Sequence, residues 1–267
     1  KSLLANYLNS LYNIKNNEVI NEGSIKEIKE DAFKKYKDSN FKKVLKSKKA
    51  YRIKDEKYID NRLKVIEGIV SIDDIKVKAK EFDLTITEYL TSVLIKSIGE
   101  AKNKSKKPIV ITIPVNLRNY YKSSTMRNFS SYVNVGIDTI YGNYSLEEII
   151  KIVKNTLELN LTEKMLNAKI SANVKIARNY FIRLLPMFIK KHIMSFTEKM
   201  MGDRYCSNTL SNLGNIVLPK EVEKYVLEMG IAIGKSRGKP ASSAMVGYNG
   251  NLYITITKKM RTELRKN

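Results

Sequence analysis

The sequence predicts an α/β fold, and three features carry that prediction. Residues 109–113, Ile-Val-Ile-Thr-Ile, form an unbroken β-branched run, the pattern of a strand buried on both faces. Capping boxes at Thr85-Ile-Thr-Glu88 and Ser145-Leu-Glu-Glu148 open apolar-periodic stretches on either side of it. In each, the hydroxyl accepts from a free backbone N–H and the glutamate reaches back. Asn249-Gly250 separates two strand-like runs and signals a type I′ hairpin, since both central positions tolerate φ > 0. Strands interleaved with helices of this length belong in an α/β layer structure.

Taken in order, residues 1–10 place Leu3, Leu4, Tyr7, Leu8 and Leu11 on one helical face. Residues 13–23 are polar and read as a loop, residues 24–37 as a second helix or a mobile stretch. Residues 41–49 are strongly basic, and 50–53 read as a short strand. Residues 14–57 therefore look like a connector, which sets the expected division at 1–57 and 58–267. From residue 63 the chain becomes regular: a strand over 63–70 with a bulge expected at Gly68, a helix start at Ser71 and a short helix over 75–82. The helix from Ile86 puts Tyr89, Leu90, Val93, Leu94, Ile98 and Ala101 on one side. The helix from Ser145 turns Leu146, Ile149, Ile150, Val153 and Leu157 inward. A helical region follows over 163–201, broken near Pro186. Its second part, 187–201, has the mixed apolar and basic pattern of a membrane-surface helix. The same pattern fits a core-facing helix with a basic outer side. Residues 207–214 read as a strand ending in a polar turn, 219–224 as a helical turn and 226–234 as a strand. A basic loop containing Lys235, Arg237 and Lys239 then precedes the hairpin.

Composition excludes more than it selects. The 267 residues are 43% hydrophobic, enough for a packed core, and no window approaches the roughly 18 apolar residues of a membrane helix. The single cysteine, Cys206, excludes an internal disulfide and any multi-cysteine metal site, and a reducing, cytoplasmic setting is expected. His192 is the only histidine, which argues against a zinc site. The formal net charge of +22 would attract anions, but no RRM, zinc-finger or helix-turn-helix signature accompanies it. The lysines are spread through a chain rich in Asn and Ile, so a nucleic-acid partner is not expected.

The candidate site lies where the 109–113 strand ends. Pro114 cannot donate to a ladder, so pairing should weaken there and the chain should leave the sheet. Beyond it stand Asn116, Arg118, Arg127 and Asn128, then a second strand-like run over 131–137. Polar and cationic groups at the mouth of a buried strand are how α/β folds commonly present a site. The alternative is that these side chains only satisfy backbone groups in a tight loop.

The order of these pieces resembles the C-terminal part of alcohol acetyltransferase and condensation-domain-like enzymes. These belong to the CoA-dependent acyltransferase superfamily typified by chloramphenicol acetyltransferase. The matching stretches are 79–90, Pro114-Val-Asn-Leu-Arg118 with Met126-Arg-Asn-Phe129, Thr209-Leu-Ser-Asn-Leu-Gly214, and the closing hairpin. The resemblance implies a chloramphenicol acetyltransferase-like lobe, a mixed sheet flanked by helices, in a two-lobed sandwich with its tunnel between the lobes. It implies tunnel or lobe-interface roles for Asn116, Arg118, Asn128, Ser211, Asn212 and Gly214. It further implies acyl-CoA as co-substrate and no bound cofactor, while Lys235, Arg237 and Lys239 read as a solvated basic loop by default and as contacts to CoA phosphates in the alternative. The family's general base sits in a His-x-x-x-Asp-Gly motif, and no His-x-x-x-Asp occurs here; Phe196 stands four residues after His192. Residues 1–8 resemble the helix that follows that motif, so the base is expected on an N-terminal lobe outside this chain.

Two functions in different classes follow. One is the C-terminal portion of an acyltransferase serving a small-molecule alcohol or amine acceptor. The other is a non-catalytic module of the same fold that engages a carrier protein or a polyanion through its basic surface.

Overall fold

The computed structural model describes residues 29–37, 48–53, 63–102, 105–177, 205–234 and 241–259, with positions 10, 24, 27, 186, 187 and 189. Among these, six strands form one sheet: β1 (Leu63–Ser71), β2 (Ile109–Asn116), β3 (Ser130–Ile137), β4 (Asn208–Asn215), β5 (Ala241–Tyr248) and β6 (Asn251–Lys259). Their order is β1-β6-β5-β4-β2-β3. β4 runs parallel to both β2 and β5, and the remaining pairs are antiparallel. The sheet is mixed and flanked by helices, as the sequence predicts. The helices are α1 (Ala32–Lys35), α2 (Ile72–Lys80), α3 (Ile86–Ala101), α4 (Leu146–Asn160), α5 (Glu163–Ala177) and α6 (Lys220–Glu223). The N-terminal helix at residues 1–9, most of the basic stretch 41–49, most of 187–201 with His192, the loop 235–240 and the tail beyond 259 lie outside the described residues.

Local chemistry sets most element boundaries. Thr85 and Ser145 close both halves of their capping boxes, and Ser71 accepts from the Asp74 N–H to start α2. Asn249 and Gly250 both take positive φ, 47° and 75°, so the β5–β6 hairpin turns as predicted. The main core fills the face of the sheet that α3 and α4 cover. Ile109, Ile111 and Ile113 of β2, Val133, Val135 and Ile137 of β3, Leu210 and Met245 meet Ile95, Ile98, Ile149, Val153 and Leu157 there. A smaller core at the β2–β3 connection joins Leu117, Tyr121 and Phe129 to Leu166 and Ile170 of α5 and to Ala32 of α1. On the opposite face, residues 216–231 cover Val246, Tyr248 and Tyr253.

Five expectations are corrected. First, the 109–113 run is buried on one face only: Val110 and Thr112 are half-buried, because the layer over the other face reaches β5 and β6 but not β2. Second, Gly68 makes no bulge; β1 pairs with β6 in unbroken register from Leu63↔Lys259 to Ser71↔Asn251. Third, Tyr89, Leu90, Leu94 and Ile98 of α3 do pack inward, but its fully buried positions also include Thr91, Ser92 and Ile95, while Ala101 is exposed. The Thr91 and Ser92 hydroxyls bond back to the carbonyls of Thr87 and Glu88, so they enter the core already satisfied. Fourth, residues 226–234 form no ladder; the Thr255 and Thr257 hydroxyls donate to the Ile231 and Ile233 carbonyls instead. Fifth, residues 50–53 are not a strand, although the Tyr51 N–H donates to Pro108 O at 2.7 Å.

Two tests follow from packing. A Cβ at Gly136 would stand 2.0 Å from the Ile109 carbonyl oxygen and 2.8 Å from Val110 Cα, both backbone atoms of the partner strand. Gly136→Ala is therefore expected to cost about 3 kcal/mol, read as a lower urea midpoint. Tyr121 donates to Asn167 Oδ1 at 2.6 Å, and burial, with Glu163 and Tyr36 adding, pushes its phenol up to about 12. The unfolded phenol ionises near 10, so this stabilisation is complete below pH 10 and is lost as pH rises toward 12. Tyr121→Phe should flatten that part of an alkaline denaturation profile; an unchanged profile would assign it to other groups.

Candidate functional site

The site is built at the carboxyl ends of β2 and β4. In a strand, successive residues turn their N–H and C=O groups to opposite edges. The Ser207 N–H donates to Val110 O at 2.7 Å, and Ser207 Oγ accepts from the Val110 N–H at 3.1 Å, so the even-numbered residues of β2 face β4. Pro114 is next but one after Thr112 on that edge and has no N–H to offer. The consequence is one-sided. The β2–β4 ladder stops after Ile111↔Asn208 and Thr112↔Thr209, whereas β2 stays paired with β3 through Asn116↔Ser130. Pro114 thus parts β2 from β4 and does not release the chain from the sheet, which corrects the sequence expectation.

Past the parting, β4 follows β5. Its register with β5 shifts between Asn212 and Asn215, where Gly214 takes φ 74°. Asn212 organises the shift: its Oδ1 accepts from the Gly214 N–H at 2.7 Å and its Nδ2 donates to Thr87 Oγ1 of α3 at 3.0 Å. Leu210 points into the core. Ser211 lies on the other face, half-buried and paired with Ala244, and its hydroxyl has no hydrogen-bond partner among the described residues. On that same face Thr112 donates to Asn134 Oδ1 at 2.8 Å, and Tyr132 is exposed. Nearby, Asn208 Nδ2 donates to Ser243 Oγ at 3.0 Å, but its buried Oδ1 has no partner, an arrangement that costs about 1–3 kcal/mol.

The loop beyond β2 is tied together by Arg118. Its Nε and Nη2 donate to Thr125 O at 3.1 and 2.7 Å, Nη2 also reaches Arg127 O at 2.5 Å, and Nη1 reaches Asn116 Oδ1 at 3.4 Å. Asn116 Oδ1 also accepts from the Arg118 N–H, and Asn128 Oδ1 accepts from Ser130 Oγ at 2.7 Å. These contacts match the loop-satisfying alternative: the guanidinium spends its fork on its own backbone. The six sequence-predicted residues thus fall at one end of two adjacent parallel strands, and among them the Ser211 hydroxyl has no partner among the described residues. Lys169 is the site neighbour that sequence reasoning missed. From α5 it donates to Tyr132 O at 3.2 Å and Asn160 Oδ1 at 3.1 Å, and burial lowers its pKa. A lone lysine on a mixed helix carries no signal that would have revealed this. A cleft of about 430 Å³ lies at the other end of the strands and is lined by none of these residues.

No protein-family model matches the sequence, and no curated protein matches it. Solved structures do. A trichothecene 15-O-acetyltransferase from Fusarium sporotrichioides superposes with a TM-score of 0.50 at 10% identity, over 78% of this chain and 45% of that one. The epimerization domain from the third module of tyrocidine synthetase B gives 0.46 at 14%, over 84% and 48%. A wax ester synthase/diacylglycerol acyltransferase from Marinobacter aquaeolei gives 0.48 at 10%, over 76% and 44%. The chain therefore spans about half the length of the structures it matches. At 10% identity, the likeness to the acetyltransferase is one of fold alone. No helix among the described residues is long and apolar enough to cross a membrane.

Arg118→Gln should loosen the 117–129 loop at a cost of about 1–3 kcal/mol, with faster hydrogen exchange at the Leu117 amide, which is bonded to Phe129 O. Arg118→Gln at wild-type stability would show that the loop does not need the guanidinium.

Proposed function

We propose that this chain is the C-terminal lobe of an acyltransferase that moves an acyl group from acyl-CoA, or from a pantetheine thioester, to a small-molecule alcohol or amine. The partner is an N-terminal lobe that carries the general-base histidine, and the setting is cytoplasmic. The observation that carries the proposal is the parting of β2 and β4 beside Ser211, on a sheet face that no described helix covers over β2 and β3. The fold likeness to an acetyltransferase supports it. So does the bare apolar flank of β1, where Leu63, Val65, Ile66 and Ile69 are each 41–51% exposed, as a lobe interface requires.

The chemistry assigns each partner a share. The histidine takes the proton of the acceptor hydroxyl or amine as the heteroatom forms its bond to the thioester carbonyl. The carbonyl π electrons move onto oxygen, and a hydroxyl donor stabilises that oxyanion. Collapse breaks the C–S bond, and the departing thiolate takes the proton back from the imidazolium. Within this chain Ser211 is the proposed donor, a reading supported by its hydroxyl, unpartnered among the described residues, beside the parting, while Leu210 packs in the core and Asn212 bonds Gly214 and Thr87. Asn116, Arg118 and Asn128 shape the loop beside the parting rather than touch the acyl group.

The test is reconstitution with a polypeptide bearing His-x-x-x-Asp-Gly and measurement of thiol release from acyl-CoA. Activity should depend on that histidine, and Ser211→Ala should lower kcat by about 10²-fold with little change in KM. A folded complex that contains the histidine and releases no thiol would overturn the proposal. A Ser211→Ala complex at wild-type rate would remove Ser211 from it.

A further inference from the structure

The sheet face beside the parting has a composition that bears on what can lie there. Ile111, Val133 and Leu210 turn to the helices. Alternation therefore turns the even-numbered residues of β2 and β3, with Thr209 and Ser211 of β4, to the other face. Those positions are Val, Thr, Pro and Asn on β2 and Ser, Tyr, Asn and Gly on β3. In a chain with 49 basic and 27 acidic side chains, they include neither kind. The face is polar without being charged.

At its centre Asn134, Thr112 and Thr209 stand in one row, partners in register across β3, β2 and β4. The Thr112 hydroxyl donates to Asn134 Oδ1 at 2.8 Å, which fixes the carboxamide and turns its two Nδ2 hydrogens away from that bond. Those hydrogens have no partner among the described residues, although the side chain is half-buried. Tyr132, on the same face, pairs in register with Pro114 and is 56% exposed, an aromatic surface at the rim of the parting. Asn134 and Ser211 are two strands apart and offset by two residues, about 12 Å between Cα atoms by strand geometry. A substituted six-membered ring bridges that interval once a hydrogen bond is drawn at each end.

Chemistry narrows the occupant. Two amide N–H donors seek an oxygen of the kind a carbonyl, hydroxyl or ether supplies. A carboxylate placed there would give up water for a neutral amide, with no cation from the strands to replace it. An ammonium would find no carboxylate. We infer that the acyl acceptor lying on this face is neutral and oxygen-bearing, that Asn134 selects it by donating to that oxygen, and that Tyr132 covers its ring. The inference rests on the acyl-transfer reading and names its acceptor class. Asn134 sets specificity and takes no part in the proton transfer.

The experiment titrates para-hydroxymethylbenzamide and para-hydroxymethylbenzoate into the isotope-labelled 267-residue chain and follows its resonances. The benzamide should shift the Asn134 side-chain amide and the Ser211 backbone amide, and the benzoate should bind at least about tenfold more weakly. Asn134→Asp keeps an acceptor for the Thr112 hydroxyl but loses both donors, and should weaken the benzamide about tenfold. Tyr132→Ala, at an exposed position that the fold does not need, should weaken both probes alike. Equal affinity for the two probes, unchanged benzamide binding in Asn134→Asp, shifts confined to the β1 edge, or no shift at about 5 mM benzamide would overturn the inference. Binding is read without the histidine or a thioester, so the two readings fail separately. Thiol release by the reconstituted complex without benzamide binding removes this inference alone. Benzamide binding without thiol release removes acyl transfer and leaves the face a binding site.

Discussion

The join between β2 and β4 is the constraint on which the rest of the molecule depends. Across it the sheet is held by the pairs Ile111↔Asn208 and Thr112↔Thr209 and by the bonds between Ser207 and Val110. On one side lie β2 and β3, on the other β4, β5, β6 and β1. So short a ladder cannot hold two halves of a sheet by itself. The helix layer does that: α3 and α4 set Ile95, Ile98, Ile149 and Val153 against β2 and β3 and, in the same cluster, against Leu210 and Met245 from the other side. Each fully buried isoleucine contributes about 1.5–3 kcal/mol, so the clamp outweighs the missing rungs. The opposite face, which no described helix covers over β2 and β3, is then free to open where Pro114 ends the ladder.

Alternation along β2 also explains what the sequence could and could not reveal. Ile109-Val-Ile-Thr-Ile113 shows a strand but not how many of its faces are covered, because that depends on where residues 216–231 cross the sheet. Gly68 looks like a bulge in a pattern, yet β1 is an edge strand with a single partner and nothing forces it out of register. The buried face of α3 is wider than its apolar pattern because Thr91 and Ser92 read as polar in sequence, while their hydroxyls are already spent on the helix's own carbonyls. Capping boxes and the Asn-Gly turn were legible because their chemistry closes within four residues. Arg118 marks the limit for the site: its type suggests a ligand, and its partners Thr125 O and Arg127 O can be known only after the loop folds back.

The basic composition has a related explanation in the fold. Lysine and arginine side chains repeatedly serve as caps for main-chain oxygens. Lys169 caps Tyr132 O at the free edge of β3, Lys154 caps Asp83 O, Lys96 caps Tyr144 O and Arg118 caps two carbonyls of its loop. Each removes an oxygen that would otherwise need water or a ladder partner. With 49 basic and 27 acidic side chains, many cations must find neutral acceptors, and carbonyl oxygens are the acceptors a sheet edge or loop supplies.

That distribution gives Lys102 its meaning. Lys169, Lys96 and Arg118 stand at boundaries where a carbonyl needs a donor, and Lys154 also meets a carboxylate, Asp83, at 2.6 Å. Lys102 likewise caps Lys107 O and donates to Thr139 Oγ1, at the rim of a cleft lined by both polar and apolar residues. A capping ammonium at an open edge completes its shell with water. The proposed acyl transfer asks the parting of β2 and β4 for a donor to an oxyanion, and the Ser211 hydroxyl stands beside it. Both ends of the sheet rest on the same alternation, in which β2 and β3 turn isoleucines and valines to the helix side and polar residues to the uncovered one.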